Sequence, residues 1–181
     1  MNLQNNKGDN TTANKLTNVL FVIYLLALLW ILVFKLGVEF SYMANRSVNL
    51  IPFGEPLMSN GKADFGEMIL NALIFVPLGI YTGVLFERWN FWKRVRFIFS
   101  VSLVIEALQF LLKIGAFDVT DIITNTVGGV IGLVLYKSIE KALRNNSKAQ
   151  KFVNVVAAIG TAGMVLLLVL LKLDLLPIRY R

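Results

Sequence analysis

The chain has no cysteine and no histidine in its 181 residues. Without cysteine there is no disulfide staple and no thiolate chemistry. Without histidine the usual zinc ligand, the usual general base and any Ser-His-Asp triad are excluded. Proton chemistry is left to carboxylates, Lys or Tyr, and neither a metal nor a cofactor is expected. Charge is scarce as well, with only 16% of residues charged, where a soluble domain carries about 25%. Apolar residues take their place, at 56% of the chain and a mean hydropathy of +0.67. The 18 Lys and Arg outnumber 11 Asp and Glu. These cations flank apolar runs, so membrane orientation and contact with anionic lipid account for them, and nucleic-acid binding is not expected.

Five apolar runs are present, at residues 19–34 (continued by 36–38), 68–86, 97–114, 119–136 and 152–171. At 1.5 Å per helical residue, runs of this length match a hydrocarbon core of about 30 Å. The fold expected is all-α: a polytopic membrane bundle of five transmembrane helices. Residues 1–16 are polar and read as a disordered cytoplasmic tail. Residues 17–140 form a four-helix membrane domain, and 141–181 a basic loop with an additional C-terminal helix. The first run is too long for a signal-peptide core and lacks a small-x-small cleavage site, so it reads as an uncleaved anchor, with Lys35 snorkelling to the interface. Pro77 predicts a kink in the second helix. Asp64 and Glu67 resemble a capping box ahead of it. Gly128 and Gly132 form a small-xxx-small face, which permits a homo-oligomer without demanding one.

With the N-terminus in the cytoplasm, eleven of the eighteen Lys and Arg fall on the inner side. The positive-inside rule therefore predicts a multi-pass protein of the cell membrane with that orientation.

Polar residues are stranded inside the runs. Glu106 and Gln109 lie in the third, Asp121 and Asn125 in the fourth, and Asn71 near the start of the second. An ionisable side chain at the centre of a membrane helix costs roughly 2.5–3.5 kcal/mol by insertion scales, so such residues usually face the interior and have a task. Counting crossings brings all of them to one side of the membrane, together with the loop that holds Asn49, Pro52 and Phe53. Glu106 and Gln109 share a helix face at i, i+3, and Asp121 and Asn125 share another at i, i+4. Across the short turn 115–117 these faces are expected to build one polar pocket. Plainer readings stand beside this one. The amides can serve inter-helix hydrogen bonds of about 0.6 kcal/mol each. Asp118 can cap the fourth helix, with Asp121 in its first turn. Lys113 can snorkel or counter Glu106 or Asp121, and residues 49–53 can be a plain loop on the membrane surface.

Four elements recur in one known family. Asn49-Leu50-Ile51-Pro52-Phe53 resembles its N-(L/I)-x-P-F element. The stretch Asn71-Ala72-Leu73-Ile74-Phe75-Val76-Pro77-Leu78-Gly79 resembles its N-x-x-x-F-x-P-x-G helix. Glu106-Ala107-Leu108-Gln109 resembles its E-x-x-Q element, and the run from Asp118 through Asp121 and Asn125 to Gly128 its D-x-x-D-x-x-x-N-x-x-G element. In that order, over residues 49–135, the chain resembles VanZ-like membrane proteins, a family named for a protein associated with teicoplanin resistance in Gram-positive bacteria. The resemblance implies an envelope protein whose outer-leaflet site holds Asn49, Pro52, Phe53, Asn71, Glu106, Gln109, Asp118, Asp121 and Asn125. The partners expected are membrane lipids and a lipid-linked cell-wall precursor or a lipoglycopeptide. The alternative is an intramembrane enzyme acting on a lipid-linked substrate with Glu106 and Asp121 as catalytic carboxylates.

Overall fold

The computed structural model describes residues 3–34, 48–53, 58–59, 62–63, 65–113 and 115–172. Helices α1 (Leu3–Phe34), α2 (Gly66–Leu85), α3 (Phe91–Leu112), α4 (Val119–Leu143) and α5 (Asn146–Lys172) carry the fold. Four two-residue strands lie between them: β1 (Val48–Asn49), β2 (Met58–Ser59), β3 (Lys62–Ala63) and β4 (Phe117–Asp118). The expectations placed on Lys35, on residues 36–38, on Asp64 and on the tail after Lys172 lie outside the described residues.

Length and composition allow four helices to cross a membrane, over Asn14–Leu32, Met68–Leu85, Phe91–Leu112 and Val119–Leu143. Their outer faces leave Leu26, Trp30, Leu73 and Val104 more than half exposed, as a lipid-facing surface requires. Among the described residues these four helices meet that standard, within an all-helical bundle of five helices.

Helix α4 packs against α2, α3 and α5. The α2–α4 seam is parallel and built from glycine. A β-carbon on Gly128 would overlap the Ala72 carbonyl, one on Gly132 the Val76 carbonyl, and one on Gly79 the Gly129 carbonyl. The two backbones therefore touch, and no larger residue fits between them. The Gly128–Gly132 face is thus covered by α2 of the same chain and is not free for a second copy. Helix α3 runs antiparallel to α4: Ile98 lies against Gly129, Ser102 against Asn125 and Glu106 against Asp118. Phe75, Leu78, Ile98, Ile105 and Leu133 close the core between these helices and Leu28 of α1.

One local expectation changes at the N-terminus. Residues 3–16, read as a disordered tail, continue α1 back to Leu3. The physical reason visible at its inner end is partnership with α5, where Gln150 Nε2 donates to Asn14 Oδ1 at 2.8 Å. Helix α2 begins after Phe65, which contributes no capping side chain. Pro77, where a kink is expected, sits inside α2, which is helical from Gly66 to Leu85. One residue from the Leu73 carbonyl that Pro77 frees, Tyr24 O–H of α1 donates to the Ile74 carbonyl at 2.8 Å.

Candidate functional site

The site forms where α3 ends and α4 begins. Lys113 terminates α3 in the left-handed conformation, with φ 59°, and its N–H bonds the Gln109 and Phe110 carbonyls. Four residues later the chain is extended. Phe117 and Asp118 pair in parallel with Val48 and Asn49, in the register Val48 to Phe117 and Asn49 to Asp118. The short turn expected at 115–117 is therefore also a strand contact, and it recruits the distant loop.

Asp118 organises the junction. Its Oδ1 accepts the Thr120 N–H at 2.6 Å and so caps α4, as a carboxylate at the positive end of a helix should. Its Oδ2 accepts from Asn49 Nδ2 at 3.1 Å. Its own N–H donates to Glu106 Oε2 at 3.2 Å. Glu106, 2% exposed, thus has a partner that holds Asp118 in place. Asn49 Oδ1 in turn accepts the Ile51 N–H at 3.2 Å, the local turn that Asn side chains favour. Beyond the exposed Pro52, Phe53 adopts a left-handed φ of 57°, and its N–H donates to Thr120 Oγ1 at 3.1 Å. Two polar contacts and a two-residue ladder therefore latch the 48–53 loop onto the α3–α4 junction. The Asn49–Asp118 bond, made to a charged group, contributes about 1.5–3 kcal/mol, which offsets the left-handed backbone at Phe53.

The other candidates divide. Gln109, buried on α3, sends Nε2 to the Leu32 carbonyl of α1 at 2.8 Å. Asn125, 1% exposed, donates from Nδ2 to Ser102 Oγ at 3.0 Å, and its Oδ1 has no partner. These two amides join separate helix pairs instead of facing each other across one pocket. The single four-residue pocket expected from helix faces thus resolves into a latch, an α1–α3 tie and an α3–α4 tie. The reason is register: α3 and α4 run antiparallel with Ser102 beside Asn125, which leaves Gln109 about two helical turns further along α3. Asp121 is half-buried in the first turn of α4, and its carbonyl accepts from Thr124 Oγ1 at 3.1 Å. Asn71 is buried on α2, next to Ala72 at the level of Gly128. Lys113 is exposed. Among the described residues no group of three acidic side chains gathers that could hold a metal ion.

Sequence reasoning passed over Ser102 and Thr120, both buried and both partners of candidates. Their signal was weak: Ser102 lies one helical turn before Glu106, and Thr120 lies two residues after Asp118. Beside the latch is a cavity of about 470 Å³. Phe53, Phe65, Ala72, Ile123, Thr124 and Val127 are among its lining residues. A polar, acidic latch thus adjoins an almost wholly apolar hollow.

A helical membrane-type bundle with this junction at one end is the class of protein that fold and site define. The family model described as VanZ/LLP1 matches residues 21–141. Over 158 residues the chain is 39% identical to Protein VanZ of Enterococcus faecium, covering 85% of this chain and 91% of that protein. No solved structure gives a significant match. The chain belongs to the VanZ/LLP1 family.

Proposed function

We propose that this chain is a multi-pass cell-membrane protein, N-terminus in the cytoplasm and α5 crossing as a fifth span. It binds an amphipathic envelope ligand at the outer end of the bundle and so contributes to resistance to teicoplanin-type lipoglycopeptides. The ligand is either a lipid-linked cell-wall precursor or the lipoglycopeptide itself. The observation that carries this reading is the polar latch of Asn49, Glu106, Asp118 and Thr120 lying against the apolar cavity beneath Phe53. A molecule with a sugar or phosphate head and a hydrocarbon tail presents the matching pair of surfaces.

The engagement of Glu106 with the Asp118 backbone favours a binding and positioning role over turnover. A glutamine at 106 keeps an acceptor for that N–H. Cells expressing the Glu106→Gln chain are expected to retain most of the change in surface capture of a labelled lipoglycopeptide, whereas Asp118→Ala, which opens the latch, abolishes it. Loss of an envelope lipid product in the Glu106→Gln cells, seen by comparative lipid profiling, would replace the binding reading with the carboxylate-pair enzyme.

A further inference from the structure

The end of the bundle opposite Glu106 carries a second built feature. A crevice of about 570 Å³ opens there between α1, the end of α2 and α5. Asn14, Asn18, Glu87, Arg88, Trp89 and Gln150 supply its polar rim. Below the rim lies a fixed network. Gln150 Nε2 donates to both Asn14 Oδ1 and Thr17 Oγ1 at 2.8 Å, and the buried Thr17 hydroxyl donates to Asn154 Oδ1 at 2.9 Å. The turn that presents Arg88 is also fixed. Arg94 Nε and Nη2 donate to the Phe86 and Glu87 carbonyls at 3.1 and 3.0 Å. Trp89 stacks on Phe86 with ring centroids 4.2 Å apart.

One helical turn deeper, the same three helices, with Ile139 of α4, line an apolar groove of about 320 Å³. Phe21 lines the crevice and Tyr24 the groove on α1; Val84 and Ile80 do so on α2; Gln150 and Val153 do so on α5. Polar crevice and apolar groove are thus stacked along one helix interface, in the order that a lipid head and its tail require. The charge of this end names the head. Residues 87–96 and 137–151 hold nine Lys and Arg against two Glu, and basic pockets between membrane helices attract anionic headgroups.

We propose that this crevice and groove seat one anionic phospholipid. Its phosphodiester oxygens accept from Arg88 and from the amide NH2 groups of Asn14 and Asn18. Its hydroxylated headgroup meets Gln150, and one acyl chain enters the groove past Tyr24 and Val153 toward Gly160. The site is separate from the Glu106 junction and does not depend on the function proposed for it.

The test is retention of phosphatidylglycerol against phosphatidylcholine by the purified full-length protein, read by native mass spectrometry. Wild type is expected to prefer phosphatidylglycerol. The exposed Arg88→Gln change is expected to lower that retention about fivefold, equivalent to roughly 1 kcal/mol per surface cation. Lys141→Gln removes the same charge from an exposed site at this end that does not line the crevice, and is expected to have less than half that effect. A β-carbon at Gly160 would meet nothing within 4 Å beyond its own stretch of helix, so Gly160→Leu adds bulk to the groove lining and is expected to reduce retention as well. Equal retention of the two lipids, equal losses for Arg88→Gln and Lys141→Gln, or unchanged retention in Gly160→Leu each overturns the proposal.

Discussion

The two ends of this bundle are locked by opposite chemistry. At the α3–α4 junction acidic oxygens collect backbone N–H groups: Asp118 accepts from Thr120, and Glu106 accepts from Asp118. At the α2–α3 turn a cation collects carbonyls, with Arg94 donating to Phe86 and Glu87. Each junction holds one helix end and one helix start, and the difference lies in which of the two the charged side chain serves. Helix α4 begins at the first and exposes unsatisfied donors, while α2 finishes at the second and exposes unsatisfied acceptors. Residues 87–96 and 137–151 bring nine Lys and Arg to that second end. The free peptide groups explain why Arg94 is tied down there while Arg88 stays available.

Substitutions separate the contributions of the two ends. The largest effect belongs to the seam that joins them. Gly132→Val forces a β-carbon into the Val76 carbonyl and is expected to cost about 3 kcal/mol or more, since overpacking a closed core typically costs 1–3. Thermal unfolding in detergent would measure it, and a loss under about 1 kcal/mol would mean that the backbones can separate cheaply. Next is Asp118→Ala, which removes an N-cap and the Asn49 bond together, for about 2–3 kcal/mol. A double-mutant cycle with Asn49→Ala should show coupling of about 1 kcal/mol; strict additivity would show that the Asn49–Asp118 contact contributes nothing. Arg94→Gln at the other end is expected to cost about 1 kcal/mol, because its carbonyl partners lie near the membrane surface where water replaces it. A larger loss than for Asp118→Ala would reverse the ranking of the two ends. The smallest change is Asn125→Leu. It gives up the bond to Ser102, but it also removes an acceptor that has no partner, so stability should move by no more than about 0.5 kcal/mol. A marked loss would show that Asn125 Oδ1 is satisfied in the membrane.

Much of this was open to reading residue by residue. Asp118 as the cap of α4 follows from its place before an apolar run. Glu106 stood out because a carboxylate within a membrane helix is costly and an amide would serve most bonding needs. The partners were a different matter. Gln109 meets the Leu32 carbonyl, 77 positions away, and a backbone carbonyl leaves no mark in a sequence. Asn49 and Asp118 were both candidates, yet nothing local to either says that they bond to each other. The N-terminal segment was read as disordered because its composition is polar; it continues helix α1, and its Asn14 meets Gln150 at the far end of the chain.

By itself the sequence determined the apolar spans of the helices and the side of the bundle on which the stranded acids and amides collect, because those depend on local hydropathy and on counting crossings. Only the tertiary structure decided which polar groups meet. That depends on the rotation and register of each helix. Direct backbone contact at Gly79, Gly128 and Gly132 joins α2 to α4, and α3 lies antiparallel on α4. In that register Asn125 meets Ser102, Glu106 reaches the Asp118 N–H, and the 48–53 loop is latched onto the junction.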